Sequence, residues 1–196
     1  MNEKSYDKIS ERWHEFRSNK HINPLVIEFA HLVKKEGLIL DVGCGTGIPI
    51  TEFLVNEGFR VVGLDISKNM VKKAQSMKIS NTKFYVGNIM TWHDNNTYDG
   101  IIAYDSLFHL PLENQKNVYR ILSSLLTKDG YLFFTHGKEL GEVKSKMFDE
   151  EFYYSAIDLE MLKKTLEDNS LEIIRLITDY QDEFDSRDLI VIVQKK

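Results

Sequence analysis

Two acidic residues and three glycines are spaced as a nucleoside site requires. Asp41 stands just ahead of the turn Gly43-Cys44-Gly45-Thr46-Gly47, and Asp65 follows eighteen residues beyond Gly47. Glycines lack a Cβ, so a turn built from them bends tightly and lets a ligand lie against its backbone. A helix starting directly afterwards turns its N-terminus to the same spot. A carboxylate about twenty residues further on, at the tip of the next strand, can accept hydrogen bonds from both hydroxyls of a ribose. Turn and acid in this context point to an adenosine-containing ligand, which a glycine-rich turn alone would not do. The side chain of Cys44, the only cysteine, is passive in this reading.

The same residues discriminate among adenosine ligands. A P-loop ends in Gly-Lys-Ser/Thr, whereas Gly47 is followed by Ile48-Pro49, so ATP and GTP recede. A dinucleotide fingerprint spaces its glycines G-x-G-x-x-G, whereas here the spacing is Gly43-x-Gly45-x-Gly47. An acid at Asp41 would face a pyrophosphate unfavourably, but it suits an ammonium group. S-adenosylmethionine carries adenosine at one end and an amino acid at the other.

These residues need a scaffold, and the hydrophobic pattern supplies one. Tyr6, Ile9, Trp13 and Phe16 recur at helical steps, and Pro24 opens a second helix for which Gly37 is the expected C-cap. From Leu38 onward short apolar runs (Leu38–Val42, Arg60–Leu64, Lys83–Val86, Gly100–Tyr104, Tyr131–Thr135) alternate with helical stretches at Pro49–Asn56, Lys68–Met77 and Glu113–Leu126. Such alternation, with nearly all-apolar strands, predicts a Rossmann-like α/β fold: a mostly parallel sheet with helices on both faces. Two runs near the C-terminus, Leu171–Asp179 and Asp188–Gln194, have no helix between them and read as an antiparallel hairpin closing one sheet edge. The expected organisation is one domain, with residues 1–37 as a helical cap and 38–196 as the core.

The stretch Leu38-Ile39-Leu40-Asp41-Val42-Gly43-Cys44-Gly45-Thr46-Gly47 closely resembles motif I of class I S-adenosylmethionine-dependent methyltransferases. That resemblance extends over about Tyr6 to Gln194 and is most specific at motif I. It implies that Asp41, Gly43, Cys44, Gly45 and Gly47 hold the methionine portion, that Asp65 holds the ribose, and that Ile66 packs on the adenine. In Phe84-Tyr85-Val86-Gly87-Asn88-Ile89, Asn88 stands where relatives carry Asp; its carbonyl can still accept from the adenine amine, and the Ile89 amide can donate to the ring. The N-terminal helix, with Tyr6, Trp13 and Arg17, resembles the segment that covers the cofactor. The segment Tyr98–Pro111 resembles motif IV and puts Tyr104 on the cofactor side. It reads Ala103-Tyr104-Asp105-Ser106 in place of the Asn/Asp-Pro-Pro-aromatic signature of nucleic-acid amino-methylases.

Methyl transfer from a sulfonium needs mainly alignment and exclusion of water, and a general base only where the acceptor arrives protonated. The candidate bases are His109, after the fourth strand, and His136, after the fifth, while Tyr153 and Tyr154 are candidates for an acceptor pocket. Structural roles compete for each: both histidines could simply bond their loops, and both tyrosines could pack a lid. A net charge of −5, from 25 basic and 30 acidic side chains, argues against a nucleic-acid partner. No run of about twenty apolar residues predicts a membrane span, and a lone cysteine excludes an internal disulfide and a Cys-rich metal site. The expectation is a cytoplasmic enzyme, monomer or homodimer, that methylates a small molecule, releases S-adenosyl-L-homocysteine and holds no metal. A protein or RNA methyltransferase and a non-catalytic S-adenosylmethionine-binding regulator remain as alternatives.

Overall fold

The computed structural model describes residues 2–196. Two helices, α1 (Asn2–Ser18) and α2 (Pro24–Leu32), precede an alternating region. It runs β1 (Leu38–Val42), α3 (Ile50–Asn56), β2 (Arg60–Asp65), α4 (Lys68–Ser76), β3 (Thr82–Val86), β4 (Tyr98–Ala103), α5 (Asn117–Leu125) and β5 (Leu126–His136). A hairpin of β6 (Gly141–Met147) and β7 (Glu150–Ala156) follows, then α6 (Leu159–Asp168), β8 (Leu171–Gln181) and β9 (Ser186–Lys195). Seven strands form one sheet in the order β3-β2-β1-β4-β5-β9-β8. The first five are parallel; β9 joins β5, and β8 joins β9, antiparallel.

Alternation of side chains along the strands builds the two cores. Leu40, Val62, Ile101 and Phe134 point to the face covered by α5 and α6, where Tyr119, Leu122, Leu162 and Leu166 are buried. Ile39, Val61, Ile102 and Phe133 point the other way, onto Val26 and Phe29 of α2 and Leu54 of α3. Strands buried on both faces must be apolar throughout, which is why the runs carry so few polar residues. α2 thus belongs to the sheet sandwich, and α1 alone crosses the C-terminal edges of the strands.

Three local features differ from the sequence reading. Gly37 is not a helix cap: α2 ends as Val33 turns extended, the left-handed residue is Glu36, and the Gly37 N–H donates to the Lys34 carbonyl at 3.0 Å. A Cβ on Gly37 would lie 2.7 Å from that carbonyl oxygen, so the glycine is needed for space. The stretch Lys138–Ala156 contains a hairpin, whose turn residues Phe148 and Asp149 both take positive φ as a primed two-residue turn demands. α6, capped by Asp158 accepting from the Met161 N–H at 2.8 Å, restores the alternation before the terminal hairpin.

Candidate active site

The glycine turn lies at the tips of β1 and β2, and its geometry explains its composition. Gly43, Gly45 and Gly47 have φ of 78°, 55° and 81°, in the left-handed region. A Cβ on Gly43 would come within 2.4 Å of Ser106 Cβ, so the turn and the loop after β4 approach closely only because that atom is missing. Backbone N–H groups of Gly43 and Cys44 donate to the Leu64 carbonyl at 2.7 and 3.2 Å, and Gly45 N–H donates to Asp65 Oδ2 at 2.8 Å. Asp65 Oδ1 accepts from the Ser67 N–H at 2.8 Å, and Ser67 in turn caps α4 by accepting from Met70 N–H at 3.1 Å. Each carboxylate oxygen has a second lone pair to offer a ligand hydroxyl. Asp41 Oδ2 accepts from Thr51 Oγ1 at 2.6 Å. Burial pushes both carboxyls up, Asp41 to about 7 and Asp65 to about 6.

One cavity of about 570 Å³ runs past these groups. Ile66, Asn88 and Ile89 line one end of it, Asp41 and Asp65 its middle, and Tyr104, Asp105, Ser106, His109 and Tyr153 the other end. α1 roofs it with Tyr6, Trp13 and Arg17. The roof is held on two sides, toward α4 and toward the hairpin. Asp7 Oδ1 accepts from Ser67 Oγ at 2.6 Å and from Asn69 N–H at 3.0 Å, beside the Asp65 carboxylate. At its start, the Asn2 side-chain amide donates to the Tyr153 carbonyl at 2.8 Å while Tyr153 N–H donates to Asn2 Oδ1 at 2.9 Å. Ile9, Met70 and Phe152 bury one apolar cluster between helix, α4 and hairpin.

His109 sits in a short helical turn after β4 with both ring nitrogens engaged. Nε2 is 2.8 Å from the Tyr6 hydroxyl, and Nδ1 is 2.9 Å from the Tyr153 carbonyl oxygen and 2.8 Å from Asn2 Nδ2. Burial holds its pKa below the ordinary histidine range, so the ring is neutral near pH 7. The turn itself is pinned by Gln115, whose fully buried amide donates to Leu107 O at 2.9 Å and to Ser155 Oγ at 3.0 Å. Tyr104 stacks on Phe133 with ring centroids 5.8 Å apart, and its hydroxyl donates to Asp185. Beside it, Arg187 Nε donates to Asp105 Oδ1 at 2.6 Å and its other nitrogens bond Asp105 Oδ2 and Asp185.

Most of the residues singled out from sequence therefore line one cavity, but three do not. Gly47 faces Phe84 and Ile79 and serves the packing of the turn on β3. His136 is 2% exposed, and with Tyr154 it lines a separate cavity beneath the hairpin. Tyr154 packs its ring on Phe108 and His109. Asn88 lines the cavity, yet its Oδ1 accepts from Met90 N–H at 2.9 Å and so also closes a turn. Sequence reading missed Asn2, Thr51, Gln115 and the Asp105–Arg187 pair. Only Asp105, next to Tyr104 after a strand, carried a local signal.

Comparison with known proteins gives a consistent answer. A family model described as a methyltransferase domain matches residues 33–186. An uncharacterized methyltransferase of Alkaliphilus oremlandii is 28% identical over 155 residues, covering 77% of this chain and 67% of that protein. A ubiquinone biosynthesis O-methyltransferase of Vibrio cholerae is 30% identical over 145 residues; the match covers 67% of this chain but only 58% of that longer protein. Among solved structures, magnesium protoporphyrin IX methyltransferase of Synechocystis, with bound S-adenosylhomocysteine, shares the fold at a TM-score of 0.75 and 20% identity, covering 99% of this chain and 98% of that one.

Proposed function

The chain belongs to the class I S-adenosylmethionine-dependent methyltransferases, and from that membership we propose that it moves the methyl group of S-adenosylmethionine onto a small-molecule acceptor. The observation that carries this reading is the single roofed cavity joining Asp41 and Asp65 to the wall formed by Tyr104, Asp105, His109 and Tyr153. The cofactor supplies an electrophilic methyl on a sulfonium. The chain's own groups fit its parts. Asp65 offers free lone pairs for the ribose hydroxyls, and Asp41 a second carboxylate oxygen for the ammonium. Arg17 is half-buried at the cavity wall with no ion pair or side-chain hydrogen bond among the described residues, which leaves its guanidinium for a carboxylate. Ile66 supplies an apolar face at the adenine end, where Asn88 and the Ile89 amide line the wall.

Catalysis in this reading is alignment under a lid. α1 and the β6–β7 hairpin exclude water, and Tyr104 and Ser106 fix the direction of approach. A proton from an acceptor that arrives protonated can pass through the Tyr6 hydroxyl to Nε2 of the neutral His109 ring, whose Nδ1 is held by the Tyr153 carbonyl. A cavity closed over by a helix and a hairpin favours a small acceptor over a protein segment or RNA. No helix among the described residues is long and apolar enough to cross a membrane.

Calorimetric titration with S-adenosylmethionine and S-adenosylhomocysteine tests this, with NADH as control, on the wild type and Asp65→Ala. The expected result is binding of both methionine derivatives, weakened at least about tenfold in the variant by loss of a charge-assisted hydrogen-bond pair. Binding of NADH instead would make the chain an oxidoreductase of the same fold.

A further inference from the structure

A second cavity, of about 810 Å³, lies outside the first and shares with it the side chains of Arg17, Ile50 and Tyr104. Its walls are the end of α1, the loop into α2, and the turn between β8 and β9. The two walls are tied together: the His21 ring packs on Phe184 with centroids 4.0 Å apart, and Asn23 Nδ2 donates to Asp185 Oδ2 at 3.3 Å.

The charges lining this space are unevenly partnered. Asp185 accepts from Arg187, the Tyr104 hydroxyl and Asn23. Asp182 accepts from the Tyr180 hydroxyl and from the N–H groups of Phe184 and Asp185, so it is consumed by its own turn. Glu183 has no partner but is exposed at the tip of the turn. The cations differ. Arg17 and Lys20 are both half-buried, and neither has an ion-pair partner or side-chain hydrogen bond among the described residues. Arg17 lies over the rings of Trp13 and Tyr104, each 5.7 Å away, and Lys20 Nζ lies 4.3 Å from the centre of the Phe16 ring. Phe16 and Phe184 turn large apolar surfaces to the same space, 46% and 50% exposed. A half-buried ammonium beside exposed rings lacks a counter-anion, and a ligand that supplies one together with a flat apolar body satisfies both needs.

We propose that this second cavity seats a small ring-bearing carboxylate, taken by Lys20 and the Phe16 and Phe184 rings, against the wall it shares with the cofactor site. Arg17 could serve the same anion or the carboxylate of the cofactor. The proposal assigns Arg17 to the cofactor, and to that extent it rests on the methyltransferase reading.

The test uses 4-fluorobenzoate as probe, followed by its fluorine resonance, with 4-fluorobenzyl alcohol as the neutral isostere. Titrations are run on the whole chain with and without saturating S-adenosylhomocysteine, on the wild type and Lys20→Glu. Backbone amide shifts locate the probe. The expected result is benzoate binding that persists with S-adenosylhomocysteine present and shifts the amides of residues 20–23 and 182–187. The alcohol and the Lys20→Glu variant should each bind about tenfold more weakly, the cost of one charge-assisted contact. Unchanged S-adenosylhomocysteine affinity in Lys20→Glu certifies its fold. Expulsion of the probe by S-adenosylhomocysteine would show that Arg17 alone attracted it and would overturn a separate seat. So would equal binding of the alcohol, undiminished binding to Lys20→Glu, or no binding. Failure of S-adenosylhomocysteine itself to bind would strike the cofactor reading, while the benzoate arms without it still decide whether Lys20 seats an anion.

Discussion

Asp41 and Asp65 sit at adjacent strand tips, where burial disfavours the ionised carboxylate and outweighs the hydrogen bonds each accepts. In the unfolded chain both titrate near the ordinary aspartate value, about 3.9. Between that value and the raised ones, about 7 for Asp41 and about 6 for Asp65, the folded chain binds more protons than the unfolded one. Stability contributed by these groups is therefore greatest at the acid end and falls as pH rises through the window. Asp41→Asn removes the charge but keeps an acceptor for Thr51. Its thermal midpoint at pH 8 should exceed that of the wild type by about 3 °C or more, for roughly 1 kcal/mol or more recovered, and the gap should narrow at pH 5. Scanning calorimetry of both proteins at the two pH values checks this. The same variant should bind S-adenosylmethionine less well, because the ionised carboxylate is what an ammonium needs. A lower midpoint at pH 8 would show that the charge stabilises the ligand-free fold, and the burial argument would fail.

At the scale of elements, the β6–β7 hairpin is the part of the site most dependent on a single anchor. β6 is exposed along most of its length, and of the hairpin's large side chains Phe152 alone is fully buried, against Ile9 and Met70. Replacing a buried phenylalanine by alanine costs about 3–5 kcal/mol. Here the loss should fall on the hairpin and α1, with the parallel sheet spared. Hydrogen exchange of Phe152→Ala should quicken across residues 141–156 and 2–18 while β1, β2 and β4 keep their protection. Uniform acceleration would mean that the hairpin is part of the global folding unit. This dependence also explains why the hairpin escaped the sequence. Gly141-Glu142-Val143-Lys144-Ser145-Lys146-Met147 has little to bury, and its turn is Phe148-Asp149 in place of the Asn-Gly or Asp-Gly that marks a primed turn. The strands β1, β2, β4 and β5 were legible for the opposite reason, since burial on both faces forces apolar runs. In the site, the glycine turn and Asp65 announce themselves because backbone conformation and strand-tip position restrict residue type. Asp105 and Arg187 meet across 82 positions, and Asn2 reaches Tyr153 across 151, separations at which no local pattern marks the pairing, even though Asp105 follows a strand.

Over the whole molecule, α1 joins what would otherwise be two separate ends of the cavity. Toward α4, Asp7 binds Ser67 and Asn69, and the Ser67 N–H donates to Asp65. Lys73 pairs with Glu11 at 2.6 Å on the same side. Toward the hairpin, Asn2 clasps Tyr153 and Ser5 Oγ donates to the Glu151 carbonyl at 2.8 Å. A ligand ordering Asp65 and Ser67 therefore favours the seated helix, and a seated helix orders the hairpin, so the two ends share one equilibrium. Saturation with S-adenosylhomocysteine should slow hydrogen exchange in α1 and also in residues 150–156, although Asp65, the residue proposed for its ribose, lies toward α4 and away from the hairpin. Asp7→Ala cuts the link beside Ser67 without touching the cavity lining. In that variant S-adenosylhomocysteine should still bind, within about tenfold of the wild type for the loss of hydrogen bonds outside the site, but protection of residues 150–156 should largely disappear. Hairpin protection that survives Asp7→Ala would place the coupling in the sheet beneath, through the loop that carries His109, and α1 would then be a cover that closes independently of either end.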